Sequence, residues 1–255
     1  MRRLRPSLRP PPGGPGEDRL KTLAAAIAFN EEKKIGRVIE RFAPGLVDEV
    51  VVVNDGSTDR TPEVAAAAGA TLLNHPARRG AGAAIRTAIR YGRDTGFGIL
   101  VVLAGNDKDR PAEIPRLTRP IVEEGYDFVQ GSRYLEGGVY GNMPFYRRLA
   151  TGYIHPMLFS LAVGRRVTES TNGFRAIRLA MFDDPRIDID QEWLDRYELE
   201  PYIYYKAIRL GYRVKEVPVT KVYPDKSLGY TKMKPITGWW SILRPVVLLR
   251  LGLKK

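Results

Sequence analysis

The sequence contains no cysteine and only two histidines among its 255 residues. Disulfide bonds and thiolate metal sites are therefore excluded, and with them the disulfide-stabilised and zinc-ribbon classes of protein. The two histidines lie far apart, His75 in an arginine-rich loop and His155 before a proline, and they form no set of metal ligands. We interpret both as structural residues.

The sequence also lacks an apolar run that approaches the roughly 20 residues needed to cross a bilayer. Its first residues contain no apolar core of signal-peptide length, so we expect no secretion signal. Residues 1–21 are rich in arginine, proline and glycine and contain little that can be buried, which predicts a disordered basic arm.

Acidic residues are in the minority, since 29 Asp and Glu face 41 Lys and Arg, which gives a formal net charge of +12. The excess lies at the two ends of the chain, with +3 over residues 1–20 and +10 over residues 206–255. The nearly neutral body argues against a nucleic-acid-binding protein. Basic ends are suited to an anionic membrane or to a phosphorylated ligand.

The basic carboxy-terminal segment contains Trp239, Trp240 and an apolar run from Val246 to Leu249. Tryptophan and leucine beside basic residues are typical of a helix that lies in a membrane interface. We therefore predict an amphipathic, basic membrane-surface helix over residues 235–255, with an ordinary solvated helix as the alternative.

Apolar segments of strand length alternate with segments of helical periodicity, and 44% hydrophobic residues suffice for one α/β domain. This order predicts a mostly parallel central sheet flanked by helices. The predicted strands comprise residues 22–29, 46–53, 70–74, 98–103, 128–130 and 212–219. Two later segments, 146–163 and 193–210, are predicted helices, the first of them amphipathic with a basic start.

Polar residues follow two of these strands at their carboxyl ends, where ligands bind in open α/β sheets. Asp55 follows the run Val51–Val53, and its carboxylate could accept hydrogen bonds from a nucleotide base or ribose. A plain turn is the alternative. The run Gly98–Leu103 leads into the charged turn 106–110, whose composition suggests a metal or phosphate site, with a solvated turn as the alternative.

A third polar loop, Arg79–Arg86, contains two glycines and runs into a helix. Glycine lets a ligand approach the backbone, and the start of a helix favours anions. The pattern is neither a P-loop nor a dinucleotide fingerprint, so it indicates a phosphate site only weakly.

Four segments, in their order and spacing, resemble the family 2 glycosyltransferases of the GT-A fold. They are Phe29–Glu32, Val53–Asp59, Gly131–Tyr134 and Thr171–Arg175. The most similar branch is that of the polyprenyl-phosphate (dolichyl-phosphate) mannosyl- and glucosyltransferases. The resemblance covers residues 22–234 and implies a single GT-A (Rossmann-like) α/β domain there.

The resemblance also implies a reaction. An inverting enzyme of this kind would move a sugar from a nucleotide-diphosphate sugar, of the GDP-mannose or UDP-glucose type, to a polyprenyl-phosphate acceptor. Its expected location is the cytoplasm, peripheral at the inner face of the membrane, and it could form a homo-oligomer.

By the same resemblance, one set of residues would bind the donor and a second set the acceptor. The expected donor-binding residues are Phe29, Asn30, Glu31, Asp55, Arg79, Gly80, Asn106, Lys232 and Lys234. The expected acceptor-binding residues are Arg133, Asn172 and Arg175, and Arg133 would also neutralise phosphate during catalysis.

One motif departs from the family. An Asp-x-Asp motif after the central strand normally binds a divalent cation that bridges the donor diphosphate, and here its aspartates fall on Ala104 and Asn106. A shifted site could bind Mg²⁺ or Mn²⁺ through Asp107 and Asp109, with an amide oxygen from Asn106. Alternatively, Lys108 could neutralise the diphosphate itself and replace the metal.

The candidate catalytic residues are thus Asp107, Lys108, Asp109, Arg133 and Glu169. A phosphate monoester has a second pKa near 6, so a lipid-phosphate acceptor needs positioning more than a general base. With a hydroxyl acceptor, Glu169 would be the base. Glu198 and Glu200 are weaker candidates for the base, because a helix with two glutamates more often presents a solvated face.

Two other functions remain open. The first is a soluble family 2 glycosyltransferase that acts on a hydroxyl acceptor. The second is a nucleotide-sugar-binding protein without catalysis. This alternative is suggested by Ala104 and Asn106, which replace the two aspartates.

Overall fold

The computed structural model describes residues 19–224 and 235–254, except for the side chains of residues 235–239. Seven strands form one sheet in the order β3-β2-β1-β4-β7-β5-β8, and β6 and β9 form a separate pair. The strands are β1 Thr22–Ala28, β2 Glu49–Asn54, β3 Thr71–Asn74, β4 Ile99–Ala104, β5 Phe128–Ser132, β6 Val139–Gly141, β7 Arg175–Arg178, β8 Val214–Pro218 and β9 Thr220–Val222. Only β7 runs antiparallel to its neighbours in the large sheet. The predicted mostly parallel sheet is confirmed.

Helices cover both faces of the sheet. They are α1 Ile35–Glu40, α2 Thr61–Ala67, α3 Ala81–Asp94, α4 Ile114–Val122, α5 Phe145–Leu149, α6 His155–Val163, α7 Leu199–Arg209 and α8 Pro235–Arg250. A π-helical turn, Ala150–Ile154, joins α5 to α6 without interruption, as the predicted helix 146–163 requires. Within the described ranges, no helix is long and apolar enough to cross a membrane.

The core explains why the central strands are apolar without interruption. Along β1, Leu23 and Ala25 face a cluster that includes α3, α6, α7 and α8, whereas Ala24 and Ala26 face α1, α2 and α4. A parallel strand with helices on both faces buries every side chain. Burial of one large aliphatic side chain contributes about 1.5–3 kcal/mol, so this layered packing stabilises the edge at which the polar loops meet.

The small β6–β9 sheet fixes the loop that follows β4. The Val222 amide donates to the Lys108 carbonyl at 3.2 Å, and the Tyr223 amide donates to the Gly141 carbonyl at 3.2 Å. Neither short strand was predicted from the sequence. Their pairing brings the end of β9 against the loop of the central strand.

The predicted helix 193–210 is shorter in the structure, because α7 begins only at Leu199. The carbonyls of Asp195 and Arg196 accept hydrogen bonds from the amides of Ala83 and Gly82, at 2.9 and 2.6 Å. That backbone therefore bonds to the start of α3 instead of continuing a helix. A Cβ at Gly82 would lie 1.9 Å from the Leu194 carbonyl oxygen, so this approach requires glycine.

Candidate active site

A cavity of about 570 Å³ opens at the carboxyl ends of the central strands. Asp55 and Lys108, from the loops after β2 and β4, both line it. The other expected site residues that line it are Phe29, Asn30, Glu31, Asn106, Arg133 and Arg175. The structure thus brings the two predicted polar loops into one cleft.

Asp55 lines the cavity, and neighbouring groups fix the position of its carboxylate. Its carboxylate accepts the backbone amides of Arg79 and Gly80 at 2.9 and 2.8 Å, and it contacts His75 Nδ1 at 2.9 Å. The opposite ring nitrogen, His75 Nε2, lies 2.9 Å from the Thr87 hydroxyl. A carboxylate has about four lone-pair positions, so Asp55 can still accept a hydrogen bond from a ligand.

The adjacent wall comes from the loop after β1. Asn30 has a left-handed backbone, with φ of 52°, and its side-chain oxygen accepts the Thr58 amide at 2.8 Å. The Arg78 guanidinium lies 4.2 Å from the centre of the Phe29 ring. The loops after β1 and β2 are therefore interlocked, and together they form a polar and aromatic surface beside Asp55.

Two expected donor-binding residues, Arg79 and Gly80, are not among the residues that line the main cavity. Their amides hold Asp55, and in α3 the amides of Gly82 and Ala83 are bonded to the carbonyls of Arg196 and Asp195. The Arg79 side chain lines a separate cavity. Arg78 and Ala81 line the main cavity instead.

The two aspartates beside Lys108 do not face the cavity. Asp107 has a left-handed backbone, with φ of 62°, and its carboxylate pairs with Arg41 and lies 3.7 Å from Arg37 Nε. Asp109 is buried, and its carboxylate bonds to Lys221 Nζ at 2.6 Å and accepts the Ala104 amide at 3.2 Å. Cationic groups thus occupy both carboxylates that were expected to bind a metal.

Lys108 lies in a crowded, basic part of the cavity. Burial, followed by the charges of Lys221 and Arg147, lowers the pKa of Lys108 to about 7 against the opposing effect of Asp109. Lys108 Nζ lies 4.1 Å from the centre of the Tyr223 ring, and the Arg147 guanidinium lies 5.7 Å from the same ring.

Sequence reasoning missed Lys221, Arg147 and Tyr223 as cavity residues. Lys221 and Asp109 are 112 positions apart in the chain, so no local pattern joins them. The available signal was the high density of basic residues after residue 206, which the sequence analysis assigned to the membrane.

The residues of the cavity do not fit a divalent cation. Ala104 offers only a methyl group, and the side-chain oxygen of Asn106 is a neutral, buried atom without a hydrogen-bond partner. Among the described lining residues, eight are Lys or Arg and three are Asp or Glu. No group of three or more metal-ligating side chains occurs in the described parts of the chain. Mg²⁺ binds mainly through carboxylates, phosphates and water, and a surplus of cations repels it.

Arg133 and Glu169 form a buried pair beside the cavity. Arg133 Nε donates to the Glu169 carboxylate at 2.6 Å, and the exposed fractions of the two side chains are 3% and 0%. Burial acts to lower the pKa of Arg133, but the charge of Glu169 outweighs it, so this pKa lies above its ordinary value. The second oxygen of Glu169 accepts the Thr171 amide and hydroxyl, at 3.0 and 2.7 Å. Glu169 therefore contacts Arg133 but is not among the residues that line the cavity.

Arg175 lines the cavity, whereas Asn172 does not. The Asn172 side chain is fully buried and donates to the Gly131 carbonyl at 3.0 Å, so it supports the loop rather than facing a ligand. Arg175 donates to the Asn172 carbonyl at 2.6 Å and to the Glu200 carboxylate at 3.0 Å. Burial lowers the pKa of Arg175, and Glu200 opposes that shift.

The two glutamates interpreted as a solvated face differ, since Glu198 is buried and Glu200 is half-buried. Glu200 lines the cavity beside Arg175, and Glu198 is buried and pairs with Arg244 at 2.8 Å. The interpretation was wrong because α7 packs between the cavity and α8. The remaining expected donor residues, Lys232 and Lys234, lie outside the described residues, as does nearly all of the arm 1–21.

The arrangement is suited to a ligand that carries several negative charges at one end and hydrogen-bond donors at the other. Asp55 accepts donors such as the hydroxyls of a ribose or the amino group of a base. Lys108, Lys221 and the neighbouring arginines can neutralise phosphate groups in a partly buried site, where charge–charge interactions are stronger than in water.

Comparison with known proteins identifies the family of this chain. The profile described as Glycosyl transferase family 2 matches residues 25–206. A dolichyl-phosphate hexose transferase of Haloferax volcanii is 31% identical over 86% of this chain and 89% of its own length. An undecaprenyl-phosphate mannosyltransferase of Micrococcus luteus is 29% identical over 84% of this chain and 88% of its own length.

Solved structures give the same fold. Glucosyl-3-phosphoglycerate synthase of Mycobacterium tuberculosis, crystallised with phosphoglyceric acid, matches with a TM-score of 0.64 at 24% identity, over 92% of this chain and 81% of that chain. The same synthase has been crystallised with Mn²⁺ and UDP-glucose, and that structure matches with a TM-score of 0.63. The cavity therefore lies in a GT-A fold, and the chain belongs to glycosyl transferase family 2 and is a glycosyltransferase.

Proposed function

We propose that this enzyme transfers a hexose from a nucleoside-diphosphate sugar to a polyprenyl phosphate at a membrane surface. The observation that carries the proposal is the position of one helical segment, residues 145–163. Arg147 and Thr151 of this segment line the basic cavity, whereas other side chains of the same segment are exposed and apolar. A lipid whose phosphate enters the cavity could thus keep its chain on an apolar surface.

Asp55 and the loop after β1 would bind the nucleoside of the donor. The hydrogen-bonding capacity that Asp55 retains is suited to ribose hydroxyls or a base, and Phe29 offers a ring beside it. GDP-mannose and UDP-glucose are the expected donor types. Two relatives named for hexose or mannose transfer to lipid phosphates support this class of reaction.

Arg133 and Arg175 would position the acceptor phosphate. A phosphate oxygen of the acceptor attacks the anomeric carbon, and the bond from that carbon to the donor diphosphate breaks on the opposite side, with inversion. The bonding electrons leave with the nucleoside diphosphate, whose growing charge requires cations. The acceptor needs no general base, because a phosphate monoester is already ionised at neutral pH.

The surroundings of Glu169 favour this acceptor over a hydroxyl. Both of its carboxylate oxygens are engaged, one by Arg133 and the other by Thr171, and the side chain is fully buried. A general base must reach the hydroxyl whose proton it removes. The soluble enzyme with a hydroxyl acceptor therefore has less support.

Two helices offer the apolar surface that we assign to the membrane. The exposed side chains of the first segment are Phe145, Tyr146, Leu149, Tyr153, Ile154, Met157, Leu158 and Leu161. In and after α8, which packs against α6 and α7, the exposed apolar residues are Trp240, Val247, Leu251 and Leu253. Arg148 and Arg250 add positive charge to this surface, which is suited to anionic lipids at the inner face of the membrane.

Transfer to a lipid phosphate tests the reaction. Radiolabelled GDP-mannose, UDP-glucose and UDP-N-acetylglucosamine are incubated with a short-chain polyprenyl phosphate, and the matching polyprenol is the control acceptor. We expect a labelled lipid only with the phosphate. Transfer to the polyprenol or to a soluble sugar, without transfer to the phosphate, would overturn the proposed acceptor.

Flotation with vesicles tests the membrane surface. We expect the full chain to float with phosphatidylglycerol vesicles at low salt, and the variant Phe145→Glu/Leu161→Glu to float at least about fivefold less. The control variant Lys21→Glu changes an exposed charge at the amino end of β1, at the edge of the sheet opposite the cavity. The opposite result has two parts: the intact protein does not float, and it forms a concentration-dependent dimer that the same double variant abolishes. That result would assign the apolar surface to a homo-oligomer instead.

A further inference from the structure

We infer that fixed side chains, and not a divalent cation, neutralise the donor diphosphate in this enzyme. The side chains are Lys108, Arg147 and Lys221, called here the cationic cluster. Sugar transfer is accordingly independent of metal ions. Because the diphosphate belongs to the donor proposed above, the identity of this ligand rests on the proposed function.

Uncharged residues stand in place of the metal-binding motif. Ala104 ends the central strand β4 and Asn106 follows it, at the positions where the resemblance puts the two aspartates of the family, and neither carries a charge. Asn106 lines the cavity, but its side-chain oxygen is a buried atom without a hydrogen-bond partner. A single neutral, buried oxygen is a weak site for a divalent cation.

The neighbouring carboxylates, Asp107 and Asp109, already have cationic partners. For Asp107 to bind a metal in the cavity, it would have to leave Arg41 and turn around from a left-handed backbone position. Asp109 would have to leave Lys221 and the Ala104 amide while remaining buried. Both carboxylates would thus leave partners that they already hold. A shifted metal site at these residues does not agree with the structure.

The cationic cluster is held in place by its neighbours. Asp109 is 1% exposed and orients Lys221 through the 2.6 Å bond, so the acidic residue of the loop positions a cation. The buried Tyr223 ring contacts Lys108 and Arg147 through its face. The Val222 amide bonds to the Lys108 carbonyl. These contacts hold three basic side chains around one wall before any ligand binds.

The charges at this wall favour an anion. Lys221 is paired with Asp109, but the charges of Lys221 and Arg147 still act against a positive charge on Lys108, so a further cation is disfavoured and a diphosphate between these groups relieves the repulsion. Ammonium and guanidinium groups can donate hydrogen bonds to several phosphate oxygens at once. As the donor bond breaks, the same groups stabilise the charge on the leaving diphosphate, and no proton transfer is required.

Nucleoside-diphosphate binding and sugar transfer in excess EDTA test the inference. GDP and UDP affinities and transfer rates are measured with EDTA, with Mg²⁺ and with Mn²⁺. We expect values that agree within about twofold across the three conditions. Activity that disappears in EDTA and returns with Mn²⁺ or Mg²⁺ would overturn the inference but leave the proposed function intact. Absence of transfer and of nucleotide binding in all conditions would overturn the proposed function itself.

Variants of the cationic cluster provide the second arm. Lys108→Met and Lys221→Met keep the length of the side chain and remove its charge. We expect each to weaken nucleoside-diphosphate binding at least about tenfold, with the affinity for the free nucleoside nearly unchanged. Lys21→Met, at an exposed lysine just before β1, is the matched control. Equal losses of nucleoside and diphosphate affinity would indicate damage to the fold, and unchanged diphosphate affinity would contradict the role of the cluster.

Discussion

Two regions of the cavity, called here the acidic end (around Asp55) and the basic end (around Lys108), are built in different ways. At one end, Asp55 is held by backbone amides of Arg79 and Gly80, so its position follows from the local path of two loops. At the other end, Lys108 is surrounded by Lys221 and Arg147, which come from distant parts of the chain. The acidic end thus depends on the backbone, whereas the basic end depends on side chains and on correct long-range pairing.

The largest expected effect comes from the basic end. Lys108→Met should lower kcat/KM for sugar transfer by about 10²–10³-fold, because a fixed charge at the leaving group acts most strongly in the transition state. Lys108→Arg should recover part of the loss, since it keeps the charge. Steady-state kinetics with saturating acceptor measure both. A loss below about threefold for Lys108→Met would assign the leaving-group charge to another residue.

The next effect concerns the buried pair beside the acceptor. Glu169→Gln should leave transfer to a polyprenyl phosphate within about tenfold, because an ionised phosphate needs no base. The same change should lower the free energy of unfolding by about 3 kcal/mol, because the charge of Arg133 stays buried without its partner. Denaturant unfolding and kinetics measured on one preparation separate the two. A loss of about 10³-fold in rate at unchanged stability would instead identify Glu169 as a general base.

A change at the acidic end should affect nucleoside affinity. Asp55→Asn removes the charge that accepts three hydrogen bonds, and we expect about tenfold weaker binding of both nucleoside and nucleoside diphosphate. Lys108→Met should weaken only the diphosphate, which sharpens the contrast between the two ends. Calorimetric titration measures these affinities. If Asp55→Asn weakened binding of the nucleoside diphosphate but not of the nucleoside, Asp55 would lie near the diphosphate, and our assignment of the two ends would be wrong.

The smallest expected effect is the uptake of a proton when the nucleoside diphosphate binds. With a pKa of about 7 in the empty site, Lys108 is mostly neutral at pH 8, and a bound diphosphate favours its charged form. Binding at pH 8 should therefore take up close to one proton, and below pH 6 the uptake should vanish because Lys108 is already charged. Calorimetry in buffers of different ionisation enthalpy counts the protons. Equal uptake in Lys108→Arg would assign the proton to a different group.

The contrast between the ends also explains how much the sequence could predict. The apolar runs 46–53 and 98–103 and the polar residues after them are local signals, and the parallel sheet and the position of Asp55 follow from them. The antiparallel insertion of β7 between β4 and β5 depends on pairing with distant strands. A four-residue strand carries too little pattern to predict such a neighbour.

The charged turn after β4 was predicted as a site, but its details were not. Lys108 and Asn106 line the cavity, whereas the side chains of Asp107 and Asp109 point to Arg41 and Lys221. Sequence spacing cannot reveal which carboxylates already have a partner. That knowledge requires the tertiary structure, and it is the basis of our inference that charge is neutralised directly and not by a metal.

Lys108 and Arg147 both lie over the ring of one residue, Tyr223. Lys108 comes from the loop after β4, whereas Arg147 belongs to α5, whose exposed neighbours Phe145 and Leu149 are apolar. A displacement of α5 would therefore change the packing of the ring against which Lys108 lies.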